Sequence, residues 1–254
     1  MHHHLHRLYR KRLPFQAPPD SERRMSPLAT SPLVVFDLDG TLVDTAPDLV
    51  ATLNTILARG GLPPVDYESA RNMVGGGARL MLERGLAAAG QNLPVATVDG
   101  LTRDFIDHYA AHLADTSRPF PGAETALDTL AEHGCRLAVC TNKLEWLSVR
   151  LLAALGLSKR FSAICGADTF GVSKPDPQIL LRTVVRAGAA GSAAVMVGDS
   201  LTDIATARAA NMPVIAVDFG YTDTPVAMLA PDRIISRFAD LPETVFALLG
   251  NPQG

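Results

Sequence analysis

Four consecutive apolar residues, Leu33-Val34-Val35-Phe36, end at a carboxylate, Asp37, and a second one, Asp39, follows two positions later. A short run that is apolar at every position, not at every other one, fits a strand covered on both faces, as in a parallel sheet. Open α/β sheets place their ligands outside the carboxyl ends of the strands. Asp37 and Asp39 stand at such an end. Two acids this close repel unless a cation or a shared proton relieves them. The alternative is that both simply form the turn before Gly40.

The same pattern recurs downstream. From Arg118-Pro119-Phe120-Pro121-Gly122 onward, apolar runs alternate with helical periodicity. Strands are expected at 136–140, 163–165, 193–197, 214–217 and 233–235, and helices over 124–133, 144–155, 176–187, 201–210 and 242–249. This alternation predicts an α/β core, a parallel sheet with helices on both faces. The stretch between is different. Leu49, Val50, Leu53, Ile56 and Leu57 recur at helical spacing and predict a helix over 47–59, capped by Asp44 or Thr45. Helices follow over 66–73, 78–89 and 95–113, with no strand among them. The expected organisation is a core domain, 30–46 and 119–254, with a helical cap domain, 47–118, inserted after the first strand. Gly40 to Thr45 reads as a flexible exit into that insert.

Residues 1–29 read as a flexible extension outside the fold. They carry His2, His3, His4 and His6 among several arginines, and no apolar core follows the basic part as a signal peptide requires. The net charge of −3 gives no electrostatic reason to expect nucleic acid as a partner. No apolar run reaches the length of a membrane span. Cys135, Cys140 and Cys165 are odd in number and lack metal-type spacing, so they read as small buried hydrophobes in a reducing compartment, here the cytoplasm.

Polar clusters follow the strands on one sheet edge. Thr141, Asn142 and Lys143 come after 136–140. Gly198, Asp199, Ser200 and, four residues past Asp199, Asp203 come after 193–197. Lys174-Pro175 precedes a helix. An aspartate is a competent nucleophile toward phosphorus. The transferred phosphoryl oxygens must be neutralised and aligned, which Thr141, Asn142 and Lys174 are able to do. Asp199 beside Asp37 would complete an oxygen site for a hard cation such as Mg²⁺. Asp39 is placed to act as general acid and then base. Each group also has an ordinary reading. Thr141-Asn142 and Asp199-Ser200 are helix caps, Lys174 is a surface lysine, and Asp203 favours a helix N-terminus. Gly75, Gly76 and Gly77 are either a phosphate cradle or a flexible turn. Asp168 reads as a solvated loop acid. His108 and His112, one turn apart, read as an amphipathic helix face and not a zinc pair.

At these residues the chain resembles the haloacid dehalogenase-like phosphohydrolases. The resemblance rests on DLDGTLVDT at 37–45, the Thr141-Asn142 pair, Lys174 and GDSLTD at 198–203, and covers almost all of 33–249. It implies a Rossmann-like core, Mg²⁺ and an aspartyl-phosphate intermediate. It makes Asp37 the nucleophile and a metal ligand, and Asp39 the acid/base with its backbone carbonyl on the metal. Thr141 and Lys174 would hold the phosphoryl group, with Asn142 supporting it. Asp199 would be the second carboxylate on the metal, and Asp203 a partner of the cation and Lys174. An acid at Asp39 implies phosphatase or phosphomutase chemistry, not carbon–halogen cleavage. The stretch 71–86, with Thr141-Asn142-Lys143, Ser173-Lys174-Pro175 and Phe219-Gly220-Tyr221, is similar to the bacterial phosphoglycolate phosphatase subgroup. That subgroup usually reads V-G-N-G-A where this chain has Gly76 in place of Asn. On this likeness Gly75 and Gly77 would bring backbone N–H groups to the leaving group, and Arg71 or Arg79 would pair with its carboxylate.

The expected activity is hydrolysis of a small phosphomonoester, 2-phosphoglycolate, to glycolate and phosphate. A phosphomutase of the β-phosphoglucomutase type, a phosphatase for another sugar phosphate and a non-catalytic binding module are the alternatives. A small-molecule substrate is the expected partner, with neither nucleic acid nor membrane, and the chain is expected as a monomer or a homodimer.

Overall fold

The computed structural model describes residues 31–250. The expected N-terminal extension and its histidine cluster lie outside the described residues. Six parallel strands form the core sheet: β1 (Leu33–Phe36), β4 (Arg136–Cys140), β5 (Ala163–Cys165), β6 (Ala194–Gly198), β7 (Val214–Val217) and β8 (Arg233–Ile235). Their spatial order is β5-β4-β1-β6-β7-β8. β1 is central, with Phe36 in register with Val139 on one side and Val197 on the other. Successive residues of β1 face opposite layers, as the twofold period of a strand demands. Val34 and Phe36 enter one buried cluster with Leu127, Leu151 and Val245, while Leu33 and Val35 enter a second with Ile179, Leu180 and Ala207. That is why the strand is apolar throughout. Helices α5 (Ala123–Glu132), α6 (Glu145–Ala154) and α9 (Leu241–Leu249) cover the first face. Helices α7 (Pro177–Arg186) and α8 (Leu201–Ala209) cover the second.

Between β1 and α5 the chain forms α1 (Ala46–Arg59), α2 (Tyr67–Arg71), α3 (Ala78–Ala88) and α4 (Val95–His112), with α1 and α3 packed on α4. The two ends of this helical block are not loose. Val43–Asp44 (β2) pairs antiparallel with Arg118–Pro119 (β3), and Gly40 N donates to Val43 O at 3.0 Å. Leu38, Leu42, Val43 and Thr45 are fully buried, so 40–45 is a pinned ribbon and not a flexible exit. Two-residue strands carry too little periodicity to be read from sequence. Thr45 does occupy the N-cap of α1, but its hydroxyl makes no capping bond.

Asp48 explains much of this rigidity. Its carboxylate accepts from Thr116 N at 3.0 Å, Ser117 N at 2.8 Å and Ser117 Oγ at 2.6 Å, and from the Thr116 hydroxyl. One side chain near the start of the helical block thus ties down the segment that leaves it. Burial opposes its charge, yet these four donors outweigh burial and hold its pKa below the usual carboxylate value. Asp48→Ala is expected to cost about 2–3 kcal/mol in chemical denaturation, because buried donors lose their acceptor. The stabilisation from its lowered pKa is present above the ordinary aspartate range and is lost as pH falls through the lowered value. The pH dependence of unfolding below about pH 4 should therefore be shallower in the variant.

Candidate active site

The carboxyl ends of β1, β4 and β6 meet at the centre of the sheet, and four buried groups converge there. Asp37 continues β1, its N–H bonded to Val197 O at 2.9 Å, while its Oδ1 accepts from Leu38 N at 2.7 Å. Lys174 reaches the same Oδ1 at 2.9 Å and Asp203 Oδ1 at 2.6 Å. Asn142 holds that lysine in place: its amide donates to Lys174 O at 3.1 Å and accepts from Lys174 N at 2.8 Å. The Asn142 side chain is thus spent on orienting Lys174. Thr141 is buried beside it, and its hydroxyl accepts from Lys143 N at 3.3 Å.

Asp199 follows β6. Its Oδ1 accepts from Thr41 Oγ1 at 2.8 Å and its Oδ2 from Tyr221 N at 2.7 Å. The Tyr221 hydroxyl accepts from Ala46 N at 3.0 Å and donates to Asp44, so this residue links Asp199 to the entrance of the helical block. Two glycines make the approach possible. A Cβ on Gly220 would lie 2.2 Å from Asp199 Cβ, and one on Gly40, at φ +83°, would lie 2.7 Å from Asp199 Oδ2. Asp203 and Ser200 form a capping box at the start of α8, so Asp203 serves the helix and Lys174 at once.

Oxygens of Asp37, Asp199 and Asp203 lie within 4.8 Å of one another. Burial raises the pKa of Asp37, Lys174 opposes, and Asp203 adds to the rise. Burial also raises Asp199, with Asp203 and Asp37 reinforcing it. Burial disfavours the charge on Lys174, but its two carboxylates outweigh that and raise its pKa. Three hard oxygen donors, two of them paired with Lys174, fit a small divalent cation, whose charge would relieve the excess negative charge. The Asp39 side chain is not in this cluster.

Instead, Asp39 turns toward the helical block. Lys143 Nζ binds both of its oxygens, at 2.9 and 3.0 Å, and lies 4.4 Å from the centre of the Tyr109 ring. Lys143 is buried, and Asp39 and Tyr109 more than offset burial to keep its pKa above the ordinary value. No local pattern marks this lysine as a partner of Asp39, although it follows the Thr141-Asn142 pair directly. Asp39 and Lys143 open onto a cavity of about 280 Å³ between the sheet edge and the helices, lined also by Gly75, Gly76 and Gly77. Gly75 and Gly77 have φ of +104° and +86°, conformations that favour glycine. A Cβ on Gly76 would meet Leu80 Cδ2 at 2.3 Å, so Leu80 fills the space that a side chain there would need.

Of the two arginines, Arg79 lines the cavity and Arg71 does not. Arg71 donates to the carbonyls of Phe219 and Gly220, both at 3.1 Å, and packs over Tyr221, so it latches the helical block to the core and does not line the cavity. Arg79 pairs with Glu83 at 2.8 Å and with Asp99. Asp168 accepts from Glu145 N at 2.7 Å, at the start of α6. His108 contacts Thr52 at 3.3 Å and His112 pairs with Asp115 at 2.8 Å. Among the described residues no helix is long and apolar enough to cross a membrane, and all three cysteines are buried thiols.

Residues 34–217 match the family model of the haloacid dehalogenase-like hydrolases. The phosphoglycolate phosphatase of Agrobacterium fabrum is 49% identical over 219 residues, which is 86% of this chain and 94% of that protein. That of Caulobacter vibrioides is 49% identical over 216 residues, 85% of this chain and 91% of that protein. Among solved structures, a predicted phosphoglycolate phosphatase from Haemophilus somnus superposes with a TM-score of 0.78 at 30% identity, covering 87% of this chain and 99% of that one.

Proposed function

The chain belongs to the haloacid dehalogenase-like hydrolases, and on that premise we propose that it hydrolyses 2-phosphoglycolate to glycolate and phosphate. The observation that carries this reading is the pairing of Asp37 with Lys174 at the centre of the sheet edge, beside a carboxylate cluster and below a small cavity. Asp37 attacks phosphorus in line, forming an aspartyl-phosphate as the bond to the leaving oxygen breaks. Asp39, which must take up a proton before this step, gives it to that oxygen. Asp39 then takes a proton from water, whose oxygen attacks the phosphorus and restores Asp37. Lys174 and Thr141 hold the non-bridging oxygens, and Asn142 fixes Lys174.

Mg²⁺ is the proposed cofactor. Asp37, Asp199 and the Asp39 backbone carbonyl would hold it, with Asp203 supporting through Lys174; when bound it would neutralise phosphoryl charge. The helical block, 47–118, is proposed as a cap that keeps bulk water from the cavity, with Arg71 as its latch. The resident compartment is proposed to be the cytoplasm, in keeping with three unpaired thiols.

Phosphate release from a panel of small phosphomonoesters tests the reading. 2-Phosphoglycolate should have the highest kcat/KM, and chelation should abolish turnover until Mg²⁺ is restored. Isomerisation of β-glucose 1-phosphate without phosphate release would favour a mutase instead. No turnover of any ester would favour a binding module.

A further inference from the structure

We infer that Lys143 and Tyr109 form a carboxylate subsite for the leaving group, so that the site selects phosphomonoesters carrying a carboxylate two bonds from the ester oxygen. This inference rests on the phosphatase reading above. It begins with an unpartnered group. The Tyr109 side chain lines the cavity, is 1% exposed, and its hydroxyl makes no hydrogen bond among the described residues. A buried hydroxyl without a partner is costly and rare in native proteins, so it calls for an acceptor. Burial pushes its pKa up to about 12, so the phenol is a donor at neutral pH.

Lys143 supplies the charge. An ammonium has three donors, and Asp39 takes two of them at 2.9 and 3.0 Å. The same ammonium lies over the Tyr109 ring, and both side chains line the cavity. Lys143 sits directly on Asp39, the residue proposed to protonate the leaving oxygen. A carboxylate two bonds from that oxygen therefore comes within reach of the same ammonium, and beyond it, of the Tyr109 hydroxyl. The other cation on the cavity wall, Arg79, is already held by Glu83 and Asp99. Apart from Thr102 and Asn142, whose amide is held by Lys174, the remaining side chains of the wall, including Leu49, Phe105, Ile106 and Leu147, are apolar and offer a sugar few partners for its hydroxyls.

The test compares 2-phosphoglycolate with 2-hydroxyethyl phosphate, which has the same length but no carboxylate, in wild type, Tyr109→Phe and Lys143→Met. Wild type should prefer the carboxylated ester. Tyr109→Phe should lower that preference about tenfold, through KM, because one hydrogen bond to a charged group is lost. Lys143→Met should slow both esters, since it also frees Asp39, but should lower the preference still further. One measurement needs no variant: glycolate should inhibit p-nitrophenyl phosphate hydrolysis competitively, and ethylene glycol should not. Equal losses on both esters in both variants, or equal inhibition by glycolate and ethylene glycol, would overturn the subsite while leaving the phosphatase reading intact. Conversely, if wild type prefers a different phosphorylated 2-hydroxy acid and the variants still erase its preference, the subsite stands and 2-phosphoglycolate as substrate falls.

Discussion

Asp37→Asn is expected to lower kcat for 2-phosphoglycolate by more than about 10⁴-fold, the scale on which removing a covalent nucleophile acts. Uncatalysed phosphomonoester hydrolysis is so slow that accelerations of ~10²¹ are possible, about 28 kcal/mol, and no remaining group replaces the bond Asp37 makes. The amide is nearly the same size and still accepts from Leu38 N and from Lys174, which bind Asp37 Oδ1 at 2.7 and 2.9 Å. The fold should therefore persist. It also removes one of three mutually repelling carboxylates, so the melting temperature should not fall. Acid quenching of wild type mixed with substrate should trap a protein-bound acyl phosphate, and the variant should trap none. Residual turnover within tenfold of wild type, or an acyl phosphate still formed in the variant, would remove Asp37 from the nucleophile's role.

The pieces of this site differ in how readable they were. The backbone made Asp37, Thr141 and Asp199 visible, because each follows a continuously apolar strand and parallel topology puts all such ends on one edge. Lys174 is legible as a candidate for the phosphoryl group, but nothing local distinguishes it from a surface lysine; what makes it special is Asn142 clamping its backbone from 32 positions away. Lys143 was invisible as a partner of Asp39 because the two are 104 residues apart and meet only when β1 and β4 pair. The partners of Arg71 are hidden from the sequence for the same reason. Its carbonyl acceptors at Phe219 and Gly220 lie 148 and 149 residues away, and a guanidinium has no sequence mark that tells a carbonyl partner from a carboxylate one. The β2–β3 ribbon escaped because its strands are shorter than any period. Strand order, likewise, follows from packing of both sheet faces and not from any single run of residues.

Asp199→Asn should move stability and activity in opposite directions. Burial raises the pKa of Asp199, and Asp203 and Asp37 raise it further. A carboxyl whose folded pKa lies above its unfolded value loses stability as pH rises from the unfolded value toward the folded one, because the folded state then holds a proton the unfolded state has released. At neutral pH without a divalent cation, the charged Asp199 is therefore a liability to the fold. An amide removes it. The replacement can keep both local bonds: its carbonyl accepts from Tyr221 N, and its amino group donates to the Thr41 hydroxyl, which can accept as well as donate. In calorimetry at pH 7.5 with chelator, the variant is expected to gain about 1 kcal/mol, roughly 2–4 °C. Magnesium reverses the comparison. Saturation to about 100 Kd should stabilise wild type by about 2.7 kcal/mol and leave the variant nearly unmoved. Its turnover should drop by about 10³-fold, as charge stabilisation at the phosphoryl group is lost. A variant that melts lower than wild type in chelator, or that keeps the full magnesium response, would mean that Asp199 is a structural acid and that the cation is held by other groups.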